Sequence, residues 1–298
     1  MRVCSACGST RCSDAWVCGD CGSKPAVIGG FNAFAPALAS DNAGFREEYF
    51  GDLAALEARS FWFRARNDLI AWAVTKYFPD CGRFLEIGCG TGFVLSGIRS
   101  ACPSAELSGS EIFSAGLEFA ARRVPSAQFY QMDAGHIPFR DHFDVIGAFD
   151  VLEHIIDDEA VIDEVGKALR PGGGFLMSVP QHPALWSPQD EHAHHVRRYT
   201  SRELRRKLEA AGFEVIRATS FVSLLLPMMF ASRLRMRRNR AAVGFDAIDE
   251  LRQPRAVNIA LEAVMTIERG LIRRGSSFPA GGSLLVVARK PSQHERPS

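Results

Sequence analysis

The sequence predicts an α/β fold built on a parallel sheet, preceded by a small cysteine-held module. Three observations carry that expectation. From about residue 83 onward, short apolar runs alternate with helix-period segments, the rhythm of βαβ units with right-handed crossovers. One of those runs, Phe84-Leu-Glu-Ile87, leads straight into a glycine-rich turn, Gly88-Cys-Gly90-Thr-Gly92. Four of the eight cysteines crowd into the first 21 residues as Cys4-x-x-Cys7 and Cys18-x-x-Cys21. With 298 residues, 47% of them hydrophobic and 23% charged, the chain has ample material for a core, which excludes whole-chain disorder and a disulfide-dense mini-scaffold.

The first element expected is a zinc-ribbon-like module over residues 1–28. The second cysteine of each pair is followed by glycine, Gly8 and Gly22, which permits a tight reversal with backbone N–H groups aimed at thiolates. Two such turns close a tetrahedral shell around one cation held by Cys4, Cys7, Cys18 and Cys21. So small a segment buries little, so structural zinc would supply its folding free energy, on the order of 10–16 kcal/mol. The N-terminus shows no secretory pattern, so a reducing cytoplasm is expected and zinc is preferred to two disulfides. Cys12 has no partner at ligand spacing.

Residues 29–44 belong to a stretch rich in Ala, Gly, Pro and Ser and read as an irregular linker, leaving the ribbon tethered rather than embedded. A helix pattern follows from Phe45 to about Phe78, stopped by Pro79 and Gly82. Strands are expected at Arg83–Ile87, Glu106–Ser110, Gln128–Met132, Phe143–Phe149 and Gly174–Val179, with a helix carrying Val161, Val165 and Leu169 before the last of these. Thr200-Ser-Arg-Glu203 is a capping box opening a helix with Leu204, Leu208 and Ala211 on one face, ended by Gly212. Two further strands, Phe213–Thr219 and Ser283–Ala288, flank a helical insertion at 221–281, and residues 291–298 read as a disordered tail. No run of about 18 apolar residues exists; the densest, Phe221 to Ala231, is interrupted by Ser223 and Pro227, which excludes a membrane span.

Lys+Arg 35 against Asp+Glu 34 gives a net charge of +1, which removes any global attraction to a polyanion. The ribbon itself sets Arg2, Arg11 and Lys24 against Asp14 and Asp20, so nucleic acid is disfavoured as a partner. The glycine turn lacks the third glycine of a dinucleotide fingerprint, because Phe93 stands there. Glu86 beside the turn would repel a pyrophosphate but could face an ammonium. Glu111 closes the second strand, where a carboxylate can accept both ribose hydroxyls, and Asp133 closes the third, placed to accept from an adenine amine. Three carboxylates on successive strand ends describe a nucleoside carrying a positive group instead of phosphates.

Together with Asp133-Ala-Gly-His-Ile-Pro-Phe139, Phe149-Asp-Val-Leu-Glu-His154 and Leu169-Arg-Pro-Gly-Gly-Gly174, these residues make the sequence resemble the class I S-adenosylmethionine-dependent methyltransferases over roughly residues 60–220 and the final strand. The resemblance implies a Rossmann-like, doubly wound, seven-stranded sheet with its last strand antiparallel, over a domain at 45–290. It implies that the cofactor lies across Glu86, Gly88, Cys89, Gly90, Gly92, Glu111, Ile112, Asp133, Ala134 and Phe149. A basic residue on the preceding helix, Arg64 or Arg66, would hold the methionine carboxylate, and Arg66 is the one assigned.

For the transfer step, His154 after the fourth strand and His195 are the catalytic candidates, a base being needed only where the nucleophile must lose a proton. His182, His192, Arg198 and Tyr199 share with His195 the loop after the fifth strand, which should overhang the substrate mouth. Asp150, Glu153 and His154 also resemble a divalent-metal run of ubiquinone-biosynthesis O-methyltransferases. The insertion carries Phe221–Phe230 and then Arg233, Arg235, Arg237, Arg238 and Arg240. It reads as a core-packed helix with a basic flank, a greasy lid, or a peripheral membrane contact through 221–240. The expectation is a cytoplasmic methyltransferase using S-adenosyl-L-methionine on a small or lipid-like acceptor, at oxygen. The alternatives are a ribosomal RNA base methyltransferase using the ribbon for recognition, and a non-catalytic cofactor-binding scaffold or sensor.

Overall fold

The computed structural model describes residues 1–39, 48–238 and 253–292. Residues 40–44 of the expected linker, 45–47 of the expected first helix, 239–252 of the insertion with Arg240, and 293–298 of the expected tail lie outside the described residues. In chain order the strands are β1 (Ala26–Ile28), β2 (Phe31–Ala33), β3 (Arg83–Ile87), β4 (Glu106–Glu111), β5 (Gln128–Gln131), β6 (Phe143–Phe149), β7 (Leu169–Pro180), β8 (Glu214–Phe221) and β9 (Ser283–Arg289). The helices are α1 (Glu48–Leu56), α2 (Phe61–Tyr77), α3 (Phe93–Ala101), α4 (Ser114–Arg123), α5 (Asp158–Ala168), α6 (Pro188–His192), α7 (Ser201–Ala210), α8 (Leu226–Arg238) and α9 (Arg255–Arg273).

The strands form one sheet ordered β1-β2-β5-β4-β3-β6-β7-β9-β8. From β5 to β7 neighbours run parallel, and β9 is antiparallel to both β7 and β8, as expected. The sheet nevertheless has nine strands, not seven. The two extra strands come from the end of the expected module and from the segment read as linker: β1 and β2 form a hairpin joined by Gly29 and Gly30, whose φ values of 58° and 87° suit a two-residue turn, and β2 pairs in parallel with β5. Strands of three residues are too short for an alternation pattern to register in the sequence.

The N-terminal module is packed, not merely tethered. Trp16 is buried, with its ring 4.6 Å from Phe34 and 5.2 Å from Phe139, both edge-on, and Tyr130 also against it. The N–H of Val3 donates to Pro138 O at 3.0 Å and the chain's first amino group to Arg140 O at 2.6 Å. A lone tryptophan gives no periodic signal, so this docking was invisible in the sequence.

Helices cover both faces. On one, Leu69, Ile70 and Val74 of α2, Leu95 and Ile98 of α3, Leu117 of α4 and Met265 and Ile272 of α9 share a core; on the other, Val161, Ile162 and Val165 of α5 join Leu204 and Leu208 of α7. The helix expected from Phe45 is broken between Leu56 and Phe61: Ser60 N–H closes α1 onto Leu56 O, and Phe61 N–H is capped by Asn258 Oδ1 of α9 at 2.8 Å. The break lets α2 lie on the sheet while Phe50 of α1 rests against Gly116 of α4. The Thr200 hydroxyl accepts from Glu203 N–H, one half of the capping box expected at α7.

Candidate active site

The strand order reverses between β3 and β6, the switch point where open α/β sheets bind ligands beyond the carboxyl ends of their strands. The glycine turn after β3 sits there. A Cβ on Gly88 would fall 2.5 Å from Val151 Cγ2, and one on Gly92 2.9 Å from Ala120 Cα, so these two glycines serve packing. Gly90, at φ 50°, faces no atom within 4 Å, leaving an open cradle beside backbone N–H groups at the start of α3.

Around the cradle the expected cofactor residues converge. Glu86 is buried, and its Oε2 has no hydrogen-bond partner. Burial pushes its carboxyl up to about 8, partly opposed by Arg66. That orphaned acceptor fits the ammonium of a methionine moiety, which would restore its charge. Glu111 is also buried, and burial raises its carboxyl against three backbone N–H groups. Its Oε2 accepts from Gly90 N–H at 3.0 Å and its Oε1 from Ile112 N–H at 2.8 Å. The carboxylate thus fixes the turn, and its remaining lone pairs are what a ribose could use. Asp133 is half-exposed, its oxygens accepting from Gly135 N–H and meeting the His136 ring at 2.9 Å. Cys89, Ala134 and Phe149 are buried close by, the Cys89 thiol held protonated by burial.

The two candidate arginines separate cleanly. Arg64 pairs with Glu262 of α9 at 2.7 Å, a contact between helices. Arg66 is buried, lies over the Trp62 ring, donates to Phe149 O at 2.7 Å and pairs with Asp150 at 2.6 Å. Asp150, in a left-handed conformation at φ 57°, stores backbone strain at the end of β6, as binding sites commonly do.

Next to Arg66 opens a cavity of about 510 Å³. Its polar end carries Asp150, Glu153, Asp190, His195 and Arg198; its apolar wall is Trp62, Val222, Leu225, Met228, Met229 and Leu261, from α2, the turn after β8, α8 and α9. Glu268 of α9 holds that wall, accepting from Ser223 and Leu224 N–H at 2.8 Å each and stabilising Val222 at φ 59°. Asp190 is the hub of the polar end. Its Oδ1 meets His195 Nδ1 at 2.9 Å and Arg198 Nε at 2.7 Å, and its Oδ2 accepts from Ser187. Burial acts to raise the Asp190 carboxyl, but the bonds from His195 and Arg198 outweigh it and hold it down at about 2. With Nδ1 committed to Asp190, His195 turns Nε2 toward Glu153, 4.0 Å away. Glu153 is fully buried with neither carboxylate oxygen partnered, and burial next to Asp150 drives its carboxyl well up. Donor atoms of Glu153, His154 and His195 lie within 4.8 Å of one another.

The remaining loop candidates do not enter this cavity. Tyr199 is fully buried and donates to Asp158 at 2.6 Å, a core anchor rather than a substrate contact. His192 meets Tyr49 of α1 at 3.0 Å, closing α1 toward the loop, and His182 N–H donates to Tyr199 O. His154 is exposed, its ring 4.8 Å from that of His195. Trp62 and the organising role of Asp190 escaped the sequence reading, although Ser187-Pro-Gln-Asp190 carries a capping-box spacing that marks the turn.

At the N-terminus the four expected thiols gather: Cys4 Sγ lies 3.6 Å from Cys21 Sγ, and Cys7 Sγ 3.7 Å from Cys18 Sγ. A tetrahedron with metal–sulfur bonds of about 2.3 Å has edges of about 3.8 Å, so the cluster fits a thiophilic cation. Backbone N–H groups of Cys21 and Asp20 bring the Cys18 thiol down to about 6, and those of Cys7 and Ala6 lower Cys4.

A family model described as "Methyltransferase domain" matches residues 55–218, more than half of the chain. Among curated proteins, a probable S-adenosylmethionine-dependent methyltransferase of Mycolicibacterium smegmatis is 29% identical over 167 residues, 55% of this chain and 63% of that protein. The chain therefore spans less than two thirds of the length of this relative. The 27-O-demethylrifamycin SV methyltransferase of Amycolatopsis mediterranei is 29% identical over 226 residues, 70% of this chain and 77% of that protein. Among solved structures, the phosphoethanolamine N-methyltransferase 2 of Haemonchus contortus in complex with S-adenosyl-L-methionine shares the fold, with a TM-score of 0.57, 17% identity and coverage of 85% of this chain and 59% of that one. The match over residues 55–218 shows that the chain belongs to the methyltransferase-domain family.

Proposed function

We propose that the protein methylates a hydroxyl oxygen of a small or lipid-like acceptor, and that a zinc ion held by Cys4, Cys7, Cys18 and Cys21 stabilises its N-terminal module. The observation that carries the acceptor reading is the cavity beside Arg66, which joins an apolar wall to a polar end organised around His195. That division suits a molecule with a greasy body and a reactive oxygen.

When bound, S-adenosyl-L-methionine supplies an electrophilic methyl group on a sulfonium. The chain's own residues do the rest. Glu86 and Arg66 hold the amino-acid end, Glu111 and Asp133 the nucleoside, and the cavity wall aligns the acceptor oxygen for in-line attack. Asp190 keeps the proton of His195 on Nδ1, so Nε2 presents a lone pair to the acceptor and takes its proton as the new C–O bond forms. A protonated imidazole is then stabilised by the Asp190 carboxylate. His154, exposed outside the cavity, has no role in this step.

The test is to incubate the purified chain with isotopically labelled cofactor and a panel of hydroxylated, fatty carboxylic and RNA acceptors, reading methylated products by mass spectrometry. Oxygen-methylated small or lipid-like products lost in His195→Ala support the proposal. Label in RNA, or turnover unchanged in His195→Ala, refutes it.

A further inference from the structure

The segment after β2 crosses the carboxyl edge of the sheet, where the nucleoside end of the cofactor is placed. Phe34 N–H donates to Gln131 O at 2.8 Å. The fully buried Gln131 side chain then clamps the next residue on both sides: Ala35 N–H donates to its Oε1 at 3.1 Å, and its Nε2 donates to Ala35 O at 2.8 Å. The same Nε2 reaches Ile112 O at 2.9 Å, directly after Glu111. A short helical turn, Pro36–Leu38, carries the chain on to Ala39, whose carbonyl accepts from Ser114 N–H at the start of α4. Residues 34–39 are thus fastened at Phe34 and Ala35 to Gln131 at the end of β5, whose side chain also bridges to the loop after β4, and at Ala39 to the start of α4. They are held from behind by the N-terminal module, since Phe34 meets the Trp16 ring edge-on. From Cys18 and Cys21 to β1 there are only a few residues, so the thiolate cluster, Trp16 and the clamp form one continuous support.

We propose that residues 34–39 are a wall of the adenosine site and that the four-cysteine module, through Trp16, holds this wall in place, so that cofactor affinity depends on the metal-loaded module. The inference rests on the cofactor reading given above. It gives the N-terminal module a role in cofactor binding rather than in recognising a separate partner. Loss of the module frees Phe34, loosens the Ala35 clamp and exposes the Ile112 edge, so the nucleoside loses its outer wall while the methionine end, at Glu86 and Arg66, is left intact.

Calorimetry on the full chain tests this with S-adenosylhomocysteine and with adenosine alone, in four forms: as purified, after metal removal with a chelator, and as the Trp16→Ala and Gln131→Leu variants. The expected result is at least a tenfold weaker affinity for both ligands in all three perturbed forms, restored in the chelated protein by added zinc. The Glu86→Gln variant should weaken S-adenosylhomocysteine yet leave adenosine within about twofold, a difference of ~0.4 kcal/mol. Circular dichroism confirms that each variant is folded; should either variant unfold, the chelated wild type decides. Affinities within twofold of the purified protein after metal removal overturn the inference while leaving the cofactor reading standing. Failure of the unperturbed protein to bind either ligand overturns both.

Discussion

Cofactor binding should release a proton from Glu86. In the free protein this carboxyl is raised to about 8 by burial, with one oxygen lacking any partner. An ammonium placed against it favours the charged form, so binding must first ionise it at any pH below about 8. For a single group of this kind the observed Kd falls roughly tenfold per pH unit well below its pKa, or about 20-fold between roughly pH 6 and 7.5. The sign for stability is the opposite of the usual carboxylate. Because the folded value lies above the ordinary one, the stabilising contribution of neutral Glu86 is complete below about 4.5 and is lost as pH rises through about 8. The ligand-free protein should therefore melt lower at pH 8 than at pH 6, and the cofactor should raise Tm more at the higher pH. Calorimetry in buffers of low and high ionisation enthalpy measures the released proton directly. Wild-type affinity that is flat from pH 6 to 7.5, or a slope that persists in Glu86→Gln, would refute the reasoning.

Other outcomes separate packing from chemistry at the same site. Gly90→Ala places its methyl in the open cradle and should bind S-adenosylhomocysteine at least tenfold more weakly, with Tm lowered only by the strain of its φ of 50°; Gly92→Ala also meets Ala120 and should lower Tm further, by both clash and its φ of 74°. Paired melting curves and calorimetric titrations check this. Asp190→Asn leaves His195 without its carboxylate, so kcat should fall by about 10²-fold. S-adenosylhomocysteine affinity should stay within twofold, read by steady-state kinetics and titration. Deleting residues 1–28 strips Trp16 and β1 from the sheet edge and should destabilise the chain by about 3–5 kcal/mol in urea, as loss of a large buried aromatic does. A truncated chain as stable as the whole would show the module to be merely tethered.

The legible parts of this protein were those with a repeating or fixed-spacing signal. The strands from Arg83 to Phe149 announce themselves by apolar runs bounded by turns, and the glycine turn and thiol pairs by spacing alone. What escaped depends on contacts between distant residues. Nothing in a three-residue strand such as Phe31–Ala33 tells that it pairs with β5, and nothing around Trp16 tells that Phe34, Tyr130 and Phe139 receive it. Likewise the loop from His182 to Tyr199 reads as one histidine-rich stretch. Only the fold sends Tyr199 inward to Asp158, His192 toward Tyr49, and His195 with Asp190 and Arg198 to the cavity. Composition supplied the residue types, and three-dimensional packing sorted them.

The apolar wall carries one further consequence for the acceptor. A cavity of about 510 Å³ is within the range that takes a drug-sized molecule, so only a limited length of acyl chain can enter it alongside a polar head. At its rim the side chains of Met228 and Val257 are more than two-fifths exposed, and Leu224 and Phe230 on the same stretch are comparably open, so a longer tail would lie across a greasy ledge outside the cavity. Each methylene that enters the cavity should gain up to ~0.8 kcal/mol, about fourfold in kcat/KM. Methylenes beyond the rim contact only one side and should gain little. In a homologous series of acceptors kcat/KM should therefore rise steeply with chain length and then flatten, and a charged replacement at Leu225, inside the wall, should abolish the steep part. An acceptor series with no dependence on chain length would show that the wall does not receive the acceptor, and the cavity would then be a packing feature between α8, α9 and the sheet.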